Sequence, residues 1–173
     1  MGRPEEADLS PRDGASPGDS EGSPEDQLRV YARELADGIV AALPGWVIAS
    51  VERIVSAYTG RVPDAVGEEA RVAAAAAAAE VGPSLRELLE SDPDDQRTTP
   101  LALVRAAVRY PTGVLLRAGV PPVERDAFDE RAFPDDRYGL TPASLADLDP
   151  GLADVSLRWG AAKAFVHRRR HRS

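Results

Sequence analysis

From Leu28 onward the large apolar residues recur every three or four positions, at Leu28, Tyr31, Leu35, Ile39 and Leu43, and they continue at Trp46, Val47, Val51, Ile54, Val55 and Tyr58. A spacing near 3.6 gathers these side chains on one face of a helix and gives a strand no consistent inner face. No segment alternates apolar and polar residues with the period of two that a half-buried strand requires, and no repeat of fixed length is present. The sequence therefore predicts an all-α protein, a single irregular bundle of about six to eight helices.

Caps and breakers divide the pattern. Ser23-Pro24-Glu25-Asp26 reads as an N-cap, a proline at the first helical position and acids that complement the helix dipole. Pro44-Gly45 is expected to end this helix. A second helix, apolar over an unusually broad face and so expected at the bundle centre, runs from Trp46 to a stop at Gly60. Pro63-Asp64 opens a third, which passes through seven alanines, Ala73 to Ala79, until Gly82-Pro83 interrupts it. Leu85, Leu88 and Leu89 continue a shorter helix to Ser91, and Asp92-Pro93-Asp94-Asp95 is turn chemistry. Thr99-Pro100 caps a helix stopped by Pro111; helical turns at 112–118 and 123–132 follow, and Thr141-Pro142 caps another ending near Pro150. The final helix carries Leu152, Val155, Trp159, Ala162 and Val166 on one face.

Three regions follow from this punctuation. Residues 1–24 are almost entirely Gly, Pro, Ser and acid, too poor in apolar side chains to offset the entropy of ordering, and are expected to be a disordered acidic tail. Residues 25–166 form the helical domain, and 167–173 a basic tail. Charge is distributed accordingly, with 8 acids against 2 arginines in residues 1–27, but 5 basic groups and no acid in residues 163–173, within a chain of net charge −8. An acidic body repels nucleic acid and anionic lipid, so only the basic end could attract them. Cysteine is absent, which removes disulfides, thiolate metal sites and cysteine nucleophiles. The first 27 residues hold no apolar run, and the longest apolar stretch, residues 38–51, is broken by Pro44-Gly45 and falls short of the roughly 20 residues of a membrane span. The expected location is the cytoplasm, with no membrane span.

Chemistry-bearing patterns are few. His167 and His171 stand four apart, a metal-ligand spacing, but five cationic groups share their segment and no glutamate lies between them as in HExxH, so no metal is expected. Asp126, Asp129, Glu130, Asp135 and Asp136 are loosely similar to the aspartate-rich helices that hold magnesium against diphosphate. Arg125, Arg131 and Arg137 alternate with them, as on a solvated ion-pair surface. Ala78, Gly82 and Leu88 match helix-turn-helix spacing, yet the would-be recognition helix carries Glu87 and Glu90 toward the phosphates. No phosphate-binding glycine loop or nucleophile elbow occurs. No catalytic residue, cofactor or metal is assigned.

The reading that remains is a non-enzymatic helical adaptor or regulatory protein acting through a protein partner, with self-association compatible. Trp46 and Trp159 are its candidate interface anchors, although such residues belong more often to a core. Arg168, Arg169, Arg170 and Arg172 are candidate contacts for a polyanion or partner. The alternatives are a nucleic-acid-associated protein that uses this arginine-rich end, and an all-α enzyme whose site is lined by the 126–137 carboxylates.

Overall fold

The computed structural model describes residues 22–172; the first 21 residues of the acidic tail, and Ser173, lie outside them. Among the described residues the protein is all-α, with six α-helices, one 3₁₀ turn and no strand.

Helix α1 spans Pro24–Thr59. The Ser23 hydroxyl accepts the Asp26 amide at 3.2 Å, and Pro24 occupies the first turn, where its missing N–H costs nothing. Gly60, at φ 81°, closes the far end by donating its N–H to the Ser56 carbonyl at 2.8 Å. The expected break at Pro44-Gly45 does not occur, and the two anticipated helices are one of 36 residues. Pro44 cannot donate to the Val40 carbonyl, a local loss of about 3 kcal/mol. On either side of it, Leu35, Ile39, Leu43, Val47, Val51 and Val55 are fully buried. Each contributes about 1.5–3 kcal/mol by leaving water, so packing outweighs the proline. The anticipated centrality of residues 46–58 holds for Val47, Val51 and Val55, whereas Ile54 is only half-buried and Tyr58 is exposed.

Helix α2 (Asp64–Glu90) likewise runs through its expected interruption. Gly82 is buried against α1, where an added Cβ would lie 3.5 Å from Val40 Cγ2, while Pro83 faces solvent. Gly82 lies inside a continuous helix and makes no turn, which removes the helix-turn-helix built on Ala78, Gly82 and Leu88. In the alanine run, Ala73, Ala74 and Ala77 are buried and Ala75, Ala76 and Ala79 exposed, which with buried Ala70 marks one packed face.

The remaining elements are shorter. The Thr99 hydroxyl caps α3 (Pro100–Ala106) by accepting the Ala102 amide at 3.1 Å. Pro111 does not stop a helix; it sits in the first turn of α4 (Arg109–Arg117), where its N–H would have had no intrahelical acceptor. Asp126 caps α5 (Ala127–Ala132). The helix expected from Thr141-Pro142 is a single 3₁₀ turn, Leu145–Asp147, preceded by Ser144. Finally α6 (Leu152–Arg170) extends four residues beyond the expected limit at 166, so much of the basic segment is helical.

The core forms around α1, which packs chiefly on α2 and α6, and next on α4. Gly38 admits α6, since a Cβ there would meet Leu152 Cδ2 at 2.8 Å. As a continuous helix α1 contains an 18-residue window of mean hydropathy 1.5, long and apolar enough to cross a bilayer by length and composition alone. Its neighbours nevertheless cover the stripe of Leu35, Ile39, Leu43, Val47, Val51 and Val55.

Candidate functional site

The carboxylates of 126–137 do not converge. Asp126 is occupied at the α5 N-terminus, where it accepts the Asp129 amide at 2.8 Å, and Glu130 and Asp135 face solvent. Asp136 is buried, with 3% of its surface exposed. Its Oδ1 accepts the amides of Tyr138 (3.2 Å) and Leu140 (2.8 Å), and its Oδ2 accepts the amide (2.8 Å) and hydroxyl (2.7 Å) of Thr141. Burial alone would raise its pKa, but these donors together hold it below the usual carboxylate value. Asp136 therefore organises the loop that brings Tyr138 and Leu140 into the core, and all its visible partners are structural. Asp135 and Asp136 both line a small cleft of about 270 Å³, but both Asp136 oxygens are taken up by these local donors.

Trp46 and Trp159 are both half-buried and packed against the core. Trp159 carries the Lys163 ammonium 5.2 Å from its ring centroid, and Trp46 lies in a cleft beside Leu140, Pro142 and Leu148. Large apolar side chains left in solvent occur on several elements, among them Tyr58, Val72 and Phe128, and three others belong to α1 and α6. Leu157 (73% exposed) and Phe165 (50%) lie eight residues apart on α6 with Ala161 between them, a spacing that aligns all three on one face. Val30 (48%) projects from α1 nearby, and with Tyr31, Ala161, Ala162 and Phe165 it lines an open groove of about 920 Å³ between the two helices. Asp26, Gln27 and Arg158 supply its polar margin. Arg158 is held by Asp154 at 3.1 Å and Glu34 at 3.2 Å, with its guanidinium 5.4 Å from the Tyr31 ring centroid. Sequence periodicity could not single out this groove, because Val30, Leu157 and Phe165 fall off the buried stripe and read as isolated surface residues.

At the other edge of α6 the basic end folds onto the turn that follows α2. Arg170 Nη1 donates to both oxygens of Asp92, at 2.8 and 3.0 Å. His167 Nδ1 lies 2.6 Å from Asp94 Oδ1, and His171 Nε2 lies 3.3 Å from Asp94 Oδ2. Hydrogen bonding to His167 is the main cause of a lowered Asp94 pKa, and bonding to Asp92 the main cause of a raised Arg170 pKa. Lys163 donates to Gln96 Oε1 at 2.6 Å, and Gln96 in turn donates to the Leu88 carbonyl in the last turn of α2. Arg168, Arg169 and Arg172 are exposed, with no ion pair among the described residues. The four arginines are therefore not equivalent, since Arg170 is already matched by an acid of the same chain.

No family model matches the chain, and neither a curated protein nor a solved structure matches it. The fold is an all-α domain without a clear catalytic signature among its described residues.

Proposed function

We propose that this protein is a non-enzymatic helical adaptor or regulator, and that it holds an amphipathic helix of a protein partner in the groove between α1 and α6. The observation that carries the reading is the exposure of Phe165 on α6 beside Val30 of α1 within the groove, with Leu157 exposed further along the same face of α6. A helix normally turns such residues inward, and a cluster of them rimmed by polar groups marks surface intended for a partner. Helix-in-groove recognition uses anchors spaced three or four residues apart against an apolar floor, which the step from Leu157 through Ala161 to Phe165 would accept. Asp26 and Arg158 make the margin polar, each already paired within the chain, Asp26 with Arg29 and Arg158 with Glu34 and Asp154.

The test is the double variant Leu157→Asp with Phe165→Asp. Both positions are exposed, so the variant is expected to melt within about 2 °C of the wild type. Affinity purification from native cells should recover a stoichiometric partner with wild-type protein and lose at least ~10-fold of it with the variant, the effect of about 1.4 kcal/mol at a binding anchor. Equal recovery by the two proteins would contradict the reading. So would a wild-type dimer dispersed by the substitutions, because the occupant would then be a second copy.

A further inference from the structure

We propose that Asp94, His167 and His171 form a binding site for a first-row transition-metal dication, zinc being the clearest fit, which ties the last turn of α6 to the loop after α2. One oxygen of Asp94 and one nitrogen from each imidazole lie within 4.8 Å of one another, and all three residues are exposed. Around zinc, with ligand bonds of about 2.0–2.2 Å, tetrahedral donors are separated by roughly 3.4 Å. Rotation of three solvent-facing side chains closes that difference without moving a helix. The fourth position would be left to water.

The donor set decides the class of ion. Two imidazoles and one carboxylate suit zinc, copper(II) or nickel, whereas magnesium and calcium require a shell of oxygens that this site does not offer. His167 and His171 are already stacked with ring centroids 4.5 Å apart, as expected for positions i and i+4 on one helix face. An ion on His167 Nδ1 needs that nitrogen unprotonated, so the proton shared with Asp94 moves to Nε2 or leaves to solvent. The electrostatic objection raised by the arginine-rich sequence is weakened by the fold. Asp92 neutralises Arg170, Lys163 is drawn toward Gln96, and Asp94 places an anion against both rings. Arg170 also approaches Asp94 Oδ2 at 3.5 Å, so it faces the ion and moderates the affinity.

The experiment is calorimetric titration of the full chain with zinc chloride, with magnesium chloride as control, on wild type and on Asp94→Asn, His167→Asn and His171→Asn. Expected are one zinc per chain, no magnesium binding, and at least ~10-fold weaker zinc binding in each variant. Zinc should also shift the ring proton resonances of both histidines and raise the melting midpoint of the wild type by a few degrees, about 3 °C or more at saturation. Absence of zinc binding up to ~0.1 mM would overturn the proposal. Undiminished binding by Asp94→Asn would overturn the clasp, because the ion would then be held by the helix alone. Neither outcome bears on the groove, whose lining excludes all three residues.

Discussion

Two buried polar side chains with opposite circumstances give the sharpest tests at the level of single residues. Asp136 accepts four hydrogen bonds, so Asp136→Ala strands three amides and a hydroxyl and should cost about 3 kcal/mol or more, read from the urea midpoint. Its folded-state pKa lies below the ordinary 3.8. The stabilisation it provides is therefore complete above about pH 4 and declines as pH falls through the folded value. The gap in stability between wild type and Asp136→Asn should narrow over that acidic range, and a constant gap would show that the carboxylate charge is irrelevant. Thr112 is the converse, a buried hydroxyl without a partner among the described residues. Thr112→Val keeps the shape and removes the unsatisfied group, so a gain of up to about 1 kcal/mol is expected. Asp136 also shows where reading by composition fails. In the sequence it is one acid among five, and only the chain reversal that points Leu140 and Thr141 at it separates it from its solvated neighbours.

Several helix ends were legible, though not the stop at Pro111 or the cap at Thr141-Pro142, and the helix interiors were not. Ser23-Pro24, Gly60, Pro63-Asp64 and Thr99-Pro100 mark boundaries because capping is a contact between residues two to four apart. Pro44 and Pro83 were misread as stops because the apolar contacts that carry α1 and α2 through them come from other helices. Pro83 faces solvent, so Pro83→Ala removes no packing and restores a backbone donor to the Ala79 carbonyl. A stabilisation of about 1–3 kcal/mol by thermal melting is expected, and destabilisation would mean that the proline's local bend is needed for the crossing at Gly82. Register along α1 separates two further substitutions. Val51→Asp, at a fully buried position, should abolish folding, whereas Ile54→Asp, at a half-buried one, should leave a folded but weakened protein by circular dichroism. On α6 the charge test is equally direct. With Arg170 matched by Asp92, three arginines rather than four are open to a polyanion, so any binding to RNA should show a log–log salt slope of about −2 to −3, removed by glutamine at Arg168, Arg169 and Arg172.

At the scale of the whole molecule, α6 carries a different face to each of its neighbours. Leu152 and Val166 enter the core, Leu157 and Phe165 stand open beside α1, and His167 and Arg170 reach the turn after α2. The all-α class was readable because it depends on periodicity within each segment. The groove and the histidine clasp were not, since each joins residues far apart in the chain; Asp94 and His167 are 73 positions apart. If the α1–α6 groove receives a helix from another protein, a residue on its floor contacts that partner. A photo-crosslinking amino acid placed at Ala161, on the groove floor, tests it most directly, with the same group at exposed Glu52 of α1 as the control. Irradiation in native cells should give one adduct of discrete mass from position 161, containing a different protein, and none from position 52. Identical adduct patterns from the two positions, or an adduct of twice the chain mass, would contradict it.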